Sequence, residues 1–271
     1  MKITRFNVLG VALSAMNLGV ATEAILEAVK MKRKGYVCVT GVHGVTEAQG
    51  DEGFRRILNR AFLNTTDGMP LVWLGKREVG GWVDRVYGPD LMLEVFGATQ
   101  GTECRHFFYG GGPGVAEELA MKLEGRFPGV KICGTYCPPF RPLNGEEEAG
   151  LIRMIEEKQP DIIWVGLSTP KQERFMAEYL PKLATTLMFG VGAAFDFHSG
   201  RVRQAPRWIQ RSGLEWLYRL ISEPRRLARR YLVNNPLFVW RISGQIFGWK
   251  KYPLEAGDSL ERVTPLEDFN H

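Results

Sequence analysis

The chain alternates short β-rich runs with amphipathic helical stretches, and this pattern narrows its fold more than any other feature. The runs fall at residues 6–11, 36–40, 105–109, 130–136, 161–167 and 186–191. Between them, segments such as 115–127 and 146–159 carry apolar residues at three- and four-residue spacing. Such alternation predicts βαβ units: an α/β, Rossmann-like fold with a mostly parallel sheet flanked by helices. Ile162-Ile163-Trp164-Val165 is apolar at successive positions, as a strand covered on both faces must be. Ligands of such sheets bind beyond the carboxyl ends of the strands, here in loops starting near Thr40, Gly110, Gly166 and Gly192.

The amino terminus, with Lys2 and Arg5 before an apolar run, superficially resembles a secretory leader. Asn7 interrupts the transition, however, and residues 21–29 continue as an amphipathic helix, which favours a first strand and helix. Hydrophobic residues at 45% and charged residues at 24% suit a globule with a sizeable core and exclude whole-chain disorder. No uninterrupted apolar run reaches the ~18 residues of a membrane-spanning helix. Cys38, Cys104, Cys133 and Cys137 are too few for a disulfide scaffold and lack the partners of a zinc site, which suits reduced thiols in a cytoplasmic protein.

Near residue 200 the pattern changes. Residues 205–231 suggest one or two helices in which tryptophans and leucines interleave with arginines; Asn234-Asn235-Pro236 is expected to interrupt, before an aromatic amphipathic piece at 237–249. Between Arg201 and Lys251 stand ten arginines and two lysines against only Glu215 and Glu223, a net of +10 that leaves −5 on the rest of a chain totalling +5. One end is therefore built to meet anions. The expected organisation is a catalytic core at 1–200, a basic aromatic helical appendage at 201–251 and a flexible tail at 252–271. By its residues the appendage could grip RNA, lie on an anionic bilayer with Trp208, Trp216 and Leu217 at headgroup depth, or pack internally.

Several segments could carry chemistry. Gly110-Gly111-Gly112-Pro113-Gly114 follows a strand and opens a helix, the setting in which backbone N–H groups accept phosphate. It is not a dinucleotide fingerprint, because Val115 takes the last glycine's place and the next strand ends without an acidic residue. Asp67, in Thr66-Asp67-Gly68-Met69-Pro70, is either a helix cap or a general base at a cleft rim. Arg85, between Asp84 and Asp90, offers a planar fork for phosphate or a surface ion pair. In Thr169-Pro170-Lys171-Gln172-Glu173, Pro170 suits a first helical position and places Gln172 and Glu173 in the first turn. His43 and His198 lack metal-ligand spacing, and no Asp-x-Asp motif is present, so any diphosphate must be neutralised by arginines and helix ends.

Taken in register, Val39-Thr40, Thr66 to Pro70, Arg85-Val86-Tyr87-Gly88-Pro89-Asp90, Phe108-Tyr109-Gly110-Gly111, Gly166 to Glu173 and Gly213-Leu214-Glu215-Trp216-Leu217-Tyr218-Arg219-Leu220 resemble the WecG/TagA/CpsF family of glycosyltransferases. The resemblance runs from about residue 5 to 240. It implies a Rossmann-like core with a C-terminal membrane-associating helical appendage, and transfer of a sugar from a UDP-sugar to a polyprenyl-diphosphate-linked acceptor for teichoic acid, common antigen or exopolysaccharide. The implied location is peripheral, on the cytoplasmic face of the cell membrane, against an anionic membrane surface. The resemblance implies Asp67 as the catalytic aspartate, Thr40, Arg85 and Gln172 as site residues, and Arg219, Arg226 and Arg229 as the appendage arginines that meet a diphosphate. With the residue reading above, the expected catalytic residues are Asp67 and Arg85, and the expected substrate contacts are Thr40, His43, Gly110, Gly111, Gln172, Arg219, Arg226 and Arg229. Where some members carry an asparagine soon after the threonine, this chain has Gly41-Val42-His43, and His43 stands in that place. No metal, cofactor or nucleic acid is expected, and a homo-oligomer is left open. The competing class is a nucleotide- or RNA-binding regulatory protein with a basic tail.

Overall fold

The computed structural model of the chain describes residues 3–254. The expected flexible stretch lies, from residue 255 onward, outside the described residues. The first β-rich run is not one strand but a hairpin: β1 (Arg5–Val8) and β2 (Val11–Ser14) pair antiparallel with Val8 opposite Val11. Leu9 and Gly10 between them both take positive φ (54° and 78°), the geometry of a two-residue turn whose twist matches its strands. Helix α1 (Leu18–Lys30) follows, capped by the Asn17 side chain accepting from the Val20 amide.

The chain then winds the main sheet from β3 (Gly35–Thr40), β4 (Leu63–Thr66), β5 (Arg105–Gly110), β6 (Lys131–Tyr136), β7 (Ile162–Gly166) and β8 (Leu187–Gly190). All five pairings are parallel, and the spatial order is β4-β3-β8-β7-β5-β6. Intervening helices are α2 (Val42–Glu47), α3 (Glu52–Arg60), α4 (Met69–Glu78), α5 (Gly88–Thr99), α6 (Val115–Arg126), α7 (Gly145–Lys158), α8 (Lys171–Tyr179) and α9 (Ala194–His198). They cover both faces and make two cores, one around Phe54, Tyr109 and Met188, the other around Phe96, Phe108 and Trp164.

Strand β4 has no counterpart in the sequence reading, because Asn64-Thr65-Thr66 looks polar. All three side chains are nevertheless fully buried. Each is satisfied: Asn64 accepts from Thr40 Oγ1 (2.6 Å) and donates to the Ala12 carbonyl, Thr65 donates to the Val86 carbonyl and Thr66 to that of Asp84. Pro170 caps α8 from outside instead of opening it.

The C-terminal segment forms α10 (Arg207–Arg211), α11 (Glu215–Ser222) and α12 (Pro224–Ile246). Contrary to expectation, Asn234-Asn235-Pro236 does not interrupt; Pro236 lies inside α12. The helix continues because tertiary contacts hold both sides of the proline. Asn234 binds His43; Phe238 and Ile242 are buried; Gln245 accepts from the Leu9 amide (2.7 Å) and donates to the Asn7 carbonyl (2.9 Å). Among the described residues no helix is long and apolar enough to cross a membrane.

Candidate active site

Two clefts meet at the carboxyl edge of the sheet. The first, about 200 Å³, is lined by the ends of β3, β7 and β8 and by the starts of α5, α8 and α9. The second, about 630 Å³, opens between α4 and the helices α11 and α12, with Met69, Trp73, Trp216, Phe238 and Val239 among its walls. Gly41, Asp67, Tyr87, Arg219 and Arg230 line both.

Asp67 stands at that junction because β4 ends at Thr66 and α4 begins at Met69. Its amide donates to the Thr40 carbonyl (3.0 Å), fixing the turn against β3. Its Oδ1 is buried without a hydrogen-bond partner. Burial, with Glu215 nearby, pushes its carboxyl up to about 6 against the pull of Arg85, Arg219 and Arg230. A carboxylate so placed is largely ionised at neutral pH yet close enough to it to take a proton.

Thr40 is buried at the floor of the first cleft with its hydroxyl committed to Asn64. Gln172 and Glu173 are both buried there. Gln172 Nε2 donates to Glu173 Oε1 (3.0 Å), as does Thr169 Oγ1 (2.9 Å), leaving Gln172 Oε1 and Glu173 Oε2 unpartnered. Burial pushes the Glu173 carboxyl up. Gly190 makes this possible, since a Cβ there would come within 3.0 Å of Gln172 Nε2.

His43 lines the second cleft and not the first. Asn234 Nδ2 lies 2.7 Å from its Nδ1, and since an amide nitrogen only donates, the ring proton sits on Nε2. Burial and Arg230 push this imidazole down to about 4, so it is neutral.

Arg85 also lines only the second cleft, held on four sides. Its Nε donates to the Asp67 carbonyl, its Nη2 lies 2.6 Å from Glu215 Oε2, its Nη1 reaches Gln210 (3.4 Å), and the guanidinium lies 3.9 Å over the Tyr87 ring. The Tyr87 hydroxyl donates to the other Glu215 oxygen (2.9 Å).

Not every expected residue converges. Gly110 and Gly111 line neither cleft. The Gly111 amide donates to the Gly166 carbonyl (2.9 Å), and a Cβ on Gly110, at φ 117°, would lie 2.7 Å from that oxygen. These glycines serve close strand approach. Arg229 is exposed and lines neither cleft, whereas its neighbour Arg230 lines both. On α12 the inward arc carries Arg230, Asn234, Phe238 and Ile242, and Arg229 falls on the outward arc with Leu232, Val233 and Trp240. The Arg226 side chain lies outside what the structure describes.

Sequence reasoning therefore missed Tyr87, Glu215 and Arg230. A signal for Glu215 existed in its rarity, as one of two acids in the strongly basic segment. Among the described residues no cluster of three or more His, Cys, Asp or Glu could hold a metal ion.

A sequence profile described as "Glycosyl transferase WecG/TagA/CpsF family" matches residues 6–252. The chain is also similar to the N-acetylglucosaminyldiphosphoundecaprenol N-acetyl-beta-D-mannosaminyltransferase of Bacillus subtilis (strain 168): 29% identical over 179 residues, covering 66% of this chain and 68% of that protein.

Proposed function

The chain belongs to the WecG/TagA/CpsF glycosyltransferase family, and on that premise we propose that it moves a sugar from a UDP-sugar to a polyprenyl-diphosphate-linked acceptor with inversion at the anomeric carbon. The observation that carries this reading is Asp67 at the meeting of a polar cleft and an apolar one.

The polar cleft suits the donor. The starts of α5 and α8 open onto it, so the positive ends of their dipoles face a diphosphate. Arg219 and Arg230 stand at its mouth, where charge develops on the departing UDP. The second cleft suits a lipid-linked sugar, with aromatic and aliphatic walls and Arg77, Arg219 and Arg230 within reach of a diphosphate. Asp67 takes the proton from the acceptor hydroxyl as that oxygen attacks the anomeric carbon from the face opposite UDP. Arg85, clamped by Glu215, acts beside Asp67 on the acceptor side. Residues 201–251 serve as an appendage whose outward arc, with Arg229, Leu232 and Trp240, rests on an anionic membrane surface at the cytoplasmic face.

The relative's product suggests UDP-N-acetylmannosamine as the first donor to try within a panel of UDP-sugars, against a short-chain lipid-diphosphate N-acetylglucosamine acceptor. Asp67→Asn is expected to retain UDP binding while turnover falls by about 10²–10⁴. Turnover near that of the unaltered protein would remove Asp67 from the role. Because arginines carry the leaving-group charge here, activity is expected to persist in EDTA.

A further inference from the structure

The basic segment contributes one carboxylate to the site, and its geometry is more specific than charge balance requires. Glu215 is nearly enclosed, with 14% of its side chain exposed, and both oxygens are engaged: Oε2 with Arg85 Nη2 at 2.6 Å and Oε1 with the Tyr87 hydroxyl at 2.9 Å. The same Arg85 Nη2 lies 3.7 Å from Asp67 Oδ1, the oxygen without a hydrogen-bond partner. Arg85 cannot leave the neighbourhood, because its Nε donates to the backbone carbonyl of Asp67 and its plane rests on Tyr87. One cation is thus shared unequally between two carboxylates, one on the core and one on α11.

We propose that Glu215 is a positioning residue that holds Arg85 off Asp67, so that docking of α11 is what leaves the base free to accept a proton. The proposal rests on Asp67 being that base. With Glu215 in place, Asp67 keeps a free lone pair. Without it, the nearest carboxylate to a guanidinium already tethered to Asp67 is Asp67 itself. A close Arg–Asp pair lowers the carboxyl pKa by about 1–3 units and occupies the lone pair that the acceptor hydroxyl needs. Loss of the Glu215 contact alone would then leave the base paired to Arg85.

Charged and titratable groups facing Asp67 come from three directions: Arg85 and Tyr87 from the core, Glu215 and Arg219 from α11, Arg230 and Tyr231 from α12. Full detachment would remove Arg219 and Arg230 together with Glu215, and their effects on Asp67 oppose one another. A single substitution at Glu215 isolates the proposed one.

The test uses the full chain with ¹³C-carboxyl aspartate, the Asp67 resonance being assigned by its loss in Asp67→Asn. In Glu215→Gln the Asp67 titration midpoint is expected to fall by about 1–3 pH units, with UDP binding by calorimetry retained. Glu215→Asp, which keeps the charge on a shorter arm, is expected to fall between and covers a folding failure of the amide. In a background lacking the guanidinium, Arg85→Gln, adding Glu215→Gln is expected to produce a clearly smaller fall, the part that comes from losing the direct repulsion between Glu215 and Asp67. An unmoved midpoint in Glu215→Gln, or an equal fall without Arg85, overturns the proposal. Full turnover in Asp67→Asn would instead sink the base assignment, which the titration does not presuppose.

Discussion

Gly166 is the position where adding one methyl group should be felt furthest. It ends β7, and a Cβ there would lie 2.4, 2.6 and 2.7 Å from three ring carbons of Phe195. Carbon pairs at rest sit about 3.5–4.0 Å apart, so roughly 1 Å of movement is needed. Neither side yields easily. Gly166 is hydrogen-bonded into the sheet through Gly111, and Phe195 is 1% exposed and edge-on to Phe108 at 5.5 Å. Forcing a methylene into a packed core costs about 1–3 kcal/mol, and two rigid neighbours place Gly166→Ala near the top of that range, about 3 kcal/mol. At about 2–4 °C per kcal/mol for a fold of this size, the melting temperature should drop by roughly 6–12 °C.

Urea unfolding measures the effect directly, with an unchanged m-value expected because one methyl barely changes the surface exposed on unfolding. The decisive control is Phe195→Leu. Alone it leaves a void and destabilises; combined with Gly166→Ala it makes room, so the double variant should be more stable than the sum of its parts by about 0.5–3 kcal/mol. Because α9 and its preceding loop line the polar cleft, Gly166→Ala should also weaken UDP binding, and the double variant should recover it. A Gly166→Ala change within about 0.5 kcal/mol, the scale of ordinary surface substitutions, or strict additivity with Phe195→Leu, would refute the reasoning.

Three other substitutions test features of the appendage and of the core. Arg230→Gln should cut turnover by roughly 10- to 100-fold, the loss of one charge-assisted contact, and spare vesicle binding; Arg229→Gln should weaken binding to anionic vesicles by about 1 kcal/mol and spare turnover, and a reversal of the two would reverse their assignment. His106, buried against Phe96 and Trp164, is pushed down to about 4 chiefly by burial. Its neutral form is the one the fold accepts, so its contribution is intact above pH 6.5 and is lost progressively as pH falls from there towards 4, by up to about 3 kcal/mol. His106→Gln, which can still accept from Trp164 and donate to Thr99, should flatten urea stability across that window, and an unchanged slope would clear His106 of the effect.

How much of this was legible in the sequence depends on whether a residue's partner is local. Apolar runs such as 162–165 announce a strand by themselves, and five of the six main-sheet strands were placed from such runs. Strand β4 was invisible because its inward groups are hydroxyls and an amide, whose satisfaction depends on Ala12, Asp84 and Val86 elsewhere in the chain. Pro236 looked like a stop for the same reason: its own helix loses a hydrogen bond, but His43, the buried contacts of Phe238 and Ile242, and the hairpin compensate from outside. The glycine run reads differently at the two levels. Its local pattern fits a phosphate loop, while the positive φ values of Gly110 and Gly111 and the approach to the Gly166 carbonyl, visible only in the fold, show a packing need at the same glycines. Arg229 and Arg230 differ by one residue in sequence and by about 100° around the helix, and only the placement of α12 decides which faces the clefts.

The arrangement also explains why the two halves of the site need one another. The polar cleft lies beyond the ends of β3, β7 and β8, where α/β sheets of this kind bind ligands, but the core alone supplies only one wall of the apolar cleft. The other wall is α11 and α12, attached to the core at opposite ends. At one end Glu215 grips Arg85 and Tyr87 beside Asp67. At the other, Gln245 closes the turn of the β1–β2 hairpin, and Asn7 donates to the Tyr252 carbonyl at 2.7 Å. Between these attachments His43 and Asn234 form the middle contact, at the very loop that follows Thr40. The second wall is thus a pair of helices, α11 and α12, pinned to the core beside Asp67, beside His43 and at the hairpin, so the shape of the apolar cleft depends on all three attachments.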